Sequence, residues 1–406
     1  MKCGLLGEKL GHSYSPRIHA ELADYAYRLY EKSPAELDAF LREGDWDGLN
    51  VTIPYKKTVL SYCTALSDRA RRIGAVNTLV RLPDGGILGE NTDAYGFEKL
   101  IARAGIAVEG KKCLVFGSGG ASVMACAVLE DLGAGSVTVI SRHGADNYDN
   151  LDRHADAQLL VNTTPLGMYP NTGTAVADLA RFPACEAVLD VVYNPARTEL
   201  LLQAEKRGIP CANGLYMLVA QAKRSAELFT GQAIPDAEID RIEKLLRREM
   251  LNIVLVGMPG SGKSTVARAL GRVLDRPVVE ADALIAEAAG CPIPEIFARE
   301  GEEGFRRRET AVLREQGMRS GIILSTGGGC VTREENYDPL HQNGTIVWLR
   351  RDTALLPKEG RPISLRSDLN ELYEKRRPCY ERFADLTVDN DGSVRAAADK
   401  IREVLG

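Results

Sequence analysis

Eight consecutive residues constrain this chain more than any others: Gly257-Met258-Pro259-Gly260-Ser261-Gly262-Lys263-Ser264. They fit G-x-x-x-x-G-K-[ST], follow the apolar run Ile253 to Val256 and open a helical stretch near Thr265, the strand, turn and helix order that a phosphate loop needs. In such a loop, backbone N–H groups cradle phosphate oxygens, Lys263 reaches the β- and γ-phosphates, and Ser264 ligates magnesium. Gly257, Gly260, Ser261, Gly262, Lys263, Ser264 and Thr265 are therefore candidate ATP-binding residues, with Mg2+ on Ser264. The loop alone leaves kinase, GTPase and ATP-driven machine open.

The loop also marks a boundary. The charged helical pattern IPDAEIDRIEKLLRREM gives way near residue 250 to a buried strand, with no Gly/Ser- or Pro-rich linker between them. A second strand-to-glycine transition lies upstream in KKCLVFGSGGAS, where Cys113 to Phe116 form an apolar run suited to a central parallel strand. Val123 to Leu132 then reads as a helix and Ser136 to Ile140 as a strand, the start of a doubly wound unit. Gly117, Gly119, Gly120 and Ala121 place N–H groups and a helix N-terminus where a pyrophosphate can bind. The next strand ends Ile140-Ser141-Arg142, without the acidic residue that grips an NAD ribose, and Arg142 can pair with a 2′-phosphate. That favours NADP(H). Leu215 to Phe229 reads as a helix returning to the cleft. The expected architecture is α/β throughout: an N-terminal α/β substrate lobe over 1–100, a Rossmann-like NADP-binding lobe over 101–249, and a P-loop α/β domain over 250–406.

Composition narrows the class of partner. A net charge of -5 leaves no excess of basic residues for a nucleic-acid backbone or a membrane surface, so small-molecule substrates are expected. The start MKCGLLGEKLGHSYS lacks the apolar core of a signal peptide, and no run of about 18 apolar residues occurs, which predicts a cytoplasmic protein. Nine cysteines without a C-x-x-C pair argue against a disulfide framework or zinc site, and most read as small buried hydrophobes.

Further segments carry a resemblance. GHSYSPRIHA (11–20), LNVTIPYKK (49–57), GAVNTL (74–79), GENTDAYG (89–96), VNTTPLGM (161–168), DVVYNPARTELL (190–201) and NGLYMLVAQ (213–221) make residues 1–247 resemble the shikimate dehydrogenases. The resemblance implies a catalytic pair, Lys56 and Asp93, beside the substrate carbonyl. A lysine there can stabilise and protonate the oxygen that a hydride leaves negative, and the carboxylate can orient it. It implies substrate contacts from Ser13, Ser15, Thr52, Asn77 and Gln221, a cleft lined by Tyr193 and Gly214, and Met217 beside the nicotinamide. NADP-dependent members commonly carry Asn-Arg-Thr and another basic residue after the strand, whereas Ser141-Arg142-His143-Gly144 stands here, which predicts weaker NADP selectivity.

Beyond residue 250, EADALI (280–285), IFAREGEEGFRRRE (296–309), STGGG (325–329), GRPI (360–363) and RRPCY (376–380) resemble the shikimate kinases over 251–406. The resemblance implies that Asp282, Arg306, Arg376 and the Gly327-Gly328-Gly329 turn bind shikimate, two arginines suiting its carboxylate. It also implies that Asp282 orients the attacking hydroxyl or accepts its proton and that Arg361 is a lid arginine over the nucleotide phosphates, while Phe305 and Glu309 read as pocket supports. Glu280 stands where the family usually has Asp near magnesium. The combined expectation is NADPH-dependent reduction of 3-dehydroshikimate followed by ATP-dependent phosphorylation of shikimate, the shared chain only raising local concentration. Two other readings stand beside it: a first half that prefers quinate or a related polyol acid, and a half that binds ligand without catalysis.

Overall fold

The computed structural model describes residues 1–11, 13–356 and 369–405. By internal contacts the chain forms two compact units, Met1–Met168 with Thr174–Tyr193 and Thr198–Leu245, and Tyr169–Gly173 with Asn194–Arg197 and Leu246–Gly406.

The first unit holds two sheets. Strands β1 (Lys2–Gly7), β2 (Ala26–Glu31), β3 (Gly48–Val51), β4 (Ala65–Leu66), β5 (Thr78–Arg81) and β6 (Ile87–Glu90) form a mixed sheet in the order β2-β1-β3-β5-β6-β4. β1 runs parallel to β2 and β3, while β3, β5 and β6 are antiparallel neighbours. Helices α1 (Ser15–Leu22), α2 (Pro34–Glu43), α3 (Asp68–Ile73) and α4 (Thr92–Ala104) accompany it. Leu6, Leu41, Trp46, Leu49, Val59 and Leu79 form its dry core.

The second sheet is all parallel, in the order β11-β10-β9-β7-β8, from β7 (Lys112–Phe116), β8 (Ser136–Ile140), β9 (Leu159–Asn162), β10 (Ala187–Asp190) and β11 (Cys211–Ala212). Its helices are α5 (Gly120–Asp131), α6 (Glu199–Lys206), α7 (Leu215–Thr230) and α8 (Ala237–Met250), the last crossing the division between units. β9 and β10 are buried at every residue, the pattern of strands covered on both faces. The chain leaves β7 for β8 on one side and returns to β9 on the other. That reversal opens a crevice at the C-terminal strand ends, where such sheets bind ligands.

The second unit repeats this logic. Parallel strands β12 (Asn252–Val256), β13 (Val278–Glu280), β14 (Ile323–Ser325), β15 (Gly344–Arg350) and β16 (Leu386–Asp389) lie in the order β13-β14-β12-β15-β16. The helices are α9 (Lys263–Leu274), α10 (Ala281–Ala289), α11 (Ile293–Gly317), α12 (Tyr337–His341), α13 (Leu369–Phe383) and α14 (Val394–Leu405). β12 is central, with every residue buried, so the loop that follows it is fixed to the stiffest part of the sheet.

One expectation from the sequence is corrected. Only Cys3, Cys113 and Cys330 are fully buried, and the other six cysteines are half-buried. Several of these rest against carbonyls, as Cys63 does on Val59 and Cys185 on Ala187, because a thiol is a weak donor that settles at the margin of a core. Burial pushes the Cys3 and Cys330 thiols up to about 12 and those of Cys63, Cys113 and Cys185 up to about 11, so these five stay protonated and poorly reactive at neutral pH. No described helix is long and apolar enough to cross a membrane.

Candidate active sites

A cavity of about 250 Å³ in the first unit is lined by Ser13, Ser15, Thr52, Lys56, Asn77, Asp93, Tyr193, Gly214, Met217 and Gln221. These residues come from well-separated segments, and local structure explains how they meet. Thr52 and Lys56 follow β3, Asn77 precedes β5, Asp93 stands in the first turn of α4, and Gln221 lies on α7. The Asn91 side chain caps α4 by accepting the Ala94 N–H at 3.1 Å, which fixes the turn carrying Asp93. Asn77 Oδ1 accepts the Thr92 N–H at 2.6 Å, and the Asn77 carbonyl accepts the Val51 N–H at 2.7 Å. The Lys56 ammonium then meets Asp93 Oδ2 at 2.6 Å, with the two side chains 28% and 19% exposed. This ion pair is largely dehydrated yet reachable by a ligand.

Gly214 caps α7, and a Cβ there would lie 2.0 Å from the Val191 carbonyl. Only glycine lets α7 begin so close to the segment after β10. That segment carries Tyr193, whose ring meets Tyr14 edge to face at 6.2 Å. Asp190, fully buried at the end of β10, holds it: Asp190 Oδ1 accepts from Asn162 Nδ2 and the Val192 N–H, each at 3.0 Å, and Oδ2 accepts from the Thr198 hydroxyl at 2.7 Å.

Burial raises the Asp190 carboxyl from an ordinary 3.8 to about 6, against the lowering effect of its three donors. The folded state therefore holds this proton more tightly than the unfolded chain, so the contribution of Asp190 to stability falls as pH rises from about 4 to about 6 and is level above that. The stability difference between wild type and Asp190→Asn, from urea midpoints across this range, is expected to drift by a few kcal/mol in wild type's disfavour as pH rises. A pH-independent difference would contradict the assignment.

The NADP candidates divide. Gly214 and Met217 line the cavity, whereas Gly117, Gly119, Gly120 and Ala121 lie between β7 and α5 or open that helix, and Ser141 and Arg142 directly follow β8. The Gly117 N–H donates to the Ile140 carbonyl at 2.9 Å, which joins the glycine turn to the end of β8. A Cβ at Gly119 or Gly120 would meet nothing within 4 Å, so open space lies over the N-terminus of α5. That cradle fits a pyrophosphate. Arg142 is exposed, and the loop beyond it folds back, with the Ser141 N–H on the Asp146 carbonyl and Asp146 Oδ1 paired with His154 Nε2 at 2.8 Å.

In the second unit a cavity of about 750 Å³ is lined by Gly260, Gly262, Lys263, Ser264, Thr265, Glu280, Asp282, Arg306, Gly327, Gly328, Gly329 and Arg376, with Phe305 and Glu309. Gly257 and Ser261 do not line it. The Ser261 side chain is fully buried, and its carbonyl accepts from Asn390 Nδ2 at 2.7 Å, which makes it a support for the loop. Gly262 sits at φ 93°, a conformation that favours glycine, and α9 begins at the next residue. Lys263 Nζ donates to the Gly257 and Met258 carbonyls at 2.8 and 3.1 Å, which keeps the ammonium within the loop.

Two adjacent oxygens suit a hard cation. Ser264 Oγ donates to Glu280 Oε2 at 2.6 Å, and Glu280 Oε1 is buried without a hydrogen bond among the described residues, with Arg268 at 3.6 Å. The residues thus fit magnesium, and the longer side chain still reaches the phosphate loop. Arg306 is buried, paired with fully buried Glu309 at 2.6 Å. Burial pushes the Glu309 carboxyl up even though Arg306 pulls it down. The Gly328 carbonyl accepts from Arg376 Nη1 at 3.1 Å and from the Tyr380 hydroxyl at 2.5 Å, so α13 fixes the glycine turn. Arg361 lies outside the described residues.

The sequence reading missed Asn50 in the smaller cavity and Arg351 in the larger. Asn50 was detectable: it is a polar residue within a buried strand, two positions before Thr52 and so on the same face. Arg351 is one basic residue after a strand and carried no such signal.

Comparison with known proteins agrees with this division. Residues 5–79 match the family model for the shikimate dehydrogenase substrate binding domain, and residues 259–406 match that for shikimate kinase. A shikimate dehydrogenase (NADP(+)) of Clostridium perfringens (strain SM101 / Type A) is 36% identical over 265 residues, spanning 60% of this chain and 97% of that protein. The crystal structure of a chorismate mutase/shikimate 5-dehydrogenase fusion protein from Clostridium acetobutylicum superposes with a TM-score of 0.57 at 35% identity, covering 60% of this chain and 96% of that one. Shikimate 5-dehydrogenase from Thermus thermophilus, solved with NADP(H) and shikimate, gives 0.55 at 29% identity over 60% of this chain and 99% of that one. Matched across nearly the whole length of these dehydrogenases, and by the kinase model beyond them, this chain belongs to the shikimate dehydrogenase family and carries a shikimate kinase domain on the same polypeptide.

Proposed function

We propose that the chain catalyses two consecutive steps of chorismate and aromatic amino-acid biosynthesis: reversible NADPH-dependent reduction of 3-dehydroshikimate to shikimate, and ATP-dependent phosphorylation of shikimate to shikimate 3-phosphate. The observation that carries the reading is the Lys56–Asp93 pair at 2.6 Å on the wall of a small polar cavity, in a chain that also holds a complete phosphate loop.

In the first site, bound NADPH supplies the hydride to the carbonyl carbon. Lys56 donates a proton to the carbonyl oxygen as charge builds there, and Asp93 holds the ammonium in place. Ser13, Ser15, Thr52, Asn77 and Gln221 offer short polar groups to the carboxylate and ring hydroxyls. Gly117, Gly119, Gly120 and Ala121 hold the cofactor's pyrophosphate, and Ser141 and Arg142 receive its 2′-phosphate.

In the second site, Arg306 and Arg376 bind the shikimate carboxylate, and Asp282 takes the proton of the attacking hydroxyl. That hydroxyl is the one created by the reduction. Lys263 neutralises charge on the phosphates, and Ser264 and Glu280 hold magnesium. Glu280→Gln removes this charge at constant shape and is expected to raise the magnesium needed for half-maximal phosphorylation about tenfold or more, with reduction unchanged. An unaltered magnesium titration would remove Glu280 from the metal site. Nine thiols without a disulfide suit the reducing cytoplasm, where we place the protein.

The halves are tested separately. With NADPH and 3-dehydroshikimate the protein is expected to form shikimate, and with ATP, magnesium and shikimate it is expected to form ADP and shikimate 3-phosphate. Failure of either reaction overturns the assignment of that half.

A further inference from the structure

Behind the smaller cavity lies a closed cluster of side chains with no assigned role. Ser225 sits on α7 one turn beyond Gln221, fully buried, and its hydroxyl donates to the Gln221 backbone carbonyl at 2.9 Å. Around the same oxygen gather Asn50 Nδ2 at 2.7 Å, Thr78 Oγ1 at 2.9 Å and Thr92 Oγ1 at 3.0 Å. Thr78, also fully buried, accepts from Asn50 Nδ2 at 3.2 Å and lies 3.3 Å from Asn77 Oδ1.

Counting donors leaves two arrangements that satisfy every group, because Thr92 Oγ1 also lies 3.2 Å from Asn77 Oδ1 and 3.4 Å from Gln221 Oε1. A hydroxyl has one proton and two lone pairs. With Ser225 donating to the Gln221 carbonyl, it accepts from Asn50 and either from Thr92, with Thr78 donating to Asn77 Oδ1, or from Thr78, with Thr92 donating to Asn77 Oδ1 or Gln221 Oε1. Thr92 then accepts from Asn77 Nδ2 at 3.0 Å. Asn50 Oδ1 is held as an acceptor by the Tyr27 hydroxyl at 2.8 Å. In both, Asn50 Nδ2 and Asn77 Nδ2 donate and Asn77 Oδ1 accepts, so the hydroxyls support one orientation of these two amides, together with the Thr92 N–H on Asn77 Oδ1 at 2.6 Å. Asn50 and Asn77 both line the cavity, and Gln221 lines it from the same helix as Ser225.

We propose that Ser225, together with Thr78, is a positioning residue of the reduction site, supporting the donor and acceptor pattern that Asn50 and Asn77 present to a polyol acid without touching it. This rests on reading the cavity as the 3-dehydroshikimate site. Removing the Ser225 oxygen frees Thr78, Thr92 and the Asn50 amide to re-pair among themselves, so the cavity floor no longer holds one pattern.

The test is steady-state kinetics of Ser225→Ala in the full chain, with wild type as control. The proposal predicts a KM for 3-dehydroshikimate raised about tenfold, kcat within about threefold, and an unchanged KM for NADPH and pH profile, because Lys56 and Asp93 are untouched. Thr78→Val is expected to repeat the effect and Thr78→Ser to restore near-normal KM, and this pair decides the matter if Ser225→Ala does not fold. An unchanged KM, or a loss of kcat that tracks lost thermal stability and alters both substrates' KM alike, assigns the cluster a packing role and overturns the proposal. If wild type itself fails to reduce 3-dehydroshikimate, the reading of the cavity falls and this inference falls with it.

Discussion

Lys56→Ala is expected to abolish reduction while leaving phosphorylation intact. The ammonium at 2.6 Å from Asp93 is, among the described residues, the one cation on the wall of the smaller cavity. Without it, negative charge forming on the carbonyl oxygen has neither a proton donor nor an opposite charge, and the half-buried Asp93 carboxylate is left beside it. General-acid and electrostatic contributions of this kind are each worth roughly 10² or more, so kcat should fall by about 10³-fold or more, with a modest change in KM. Lys56→Arg keeps the charge but holds its proton too tightly to transfer it, and is expected to recover little. Loss of NADPH oxidation without loss of ADP formation from added shikimate is the result to look for. Retention of more than about a tenth of wild-type kcat in Lys56→Ala would remove lysine from the chemistry.

Lys263→Ala should give the mirror result. Lys263 is buried in the phosphate loop, with its ammonium on the Gly257 and Met258 carbonyls, so alanine removes the cation that the loop's own sequence supplies. Phosphate transfer gains almost all its acceleration from positioning and charge neutralisation, and the expected loss is about 10²- to 10³-fold or more in kcat/KM for ATP. Supplied with NADPH and 3-dehydroshikimate, this variant should accumulate shikimate. Formation of shikimate 3-phosphate at a wild-type rate would show that the loop does not bind the reacting nucleotide.

The parts legible in the sequence were those fixed by local order. The turn after β12, the turn after β7 and the strand Ser136–Ile140 were readable because strand, glycine turn and helix follow one another directly. What the sequence could not express was pairing across distance. The antiparallel joining of β3, β5 and β6 brings Asn50 beside Thr78, and the return of α7 brings Ser225 onto both, across 147 residues in the case of Thr78. No spacing rule links such positions, so Ser225 carried no expectation and Asn50 could be flagged only as a polar residue in an apolar strand.

The same limit applied to Ser261 and Glu280. A motif names loop residues without saying which side chains turn away: the Ser261 side chain is fully buried, with its backbone carbonyl held by Asn390, while Ser264 opens onto Glu280. Glu280 looked like a departure from the family's shorter Asp, yet its extra methylene still places a carboxylate oxygen 2.6 Å from the Ser264 hydroxyl, because β13 ends level with Ser325 beside the loop. Reach depends on backbone position as much as on side-chain length.

The central claim is that the hydroxyl formed from the carbonyl at the first site is phosphorylated at the second. The most direct test supplies the full-length protein with 3-dehydroshikimate, ATP, magnesium and NADPH carrying deuterium at its transferable position, and identifies the products by mass spectrometry. The account predicts shikimate 3-phosphate that contains one deuterium and one phosphate, formed through deuterated shikimate. Deuterated shikimate that is never phosphorylated, or ATP consumed with 3-dehydroshikimate left unreduced, would contradict it.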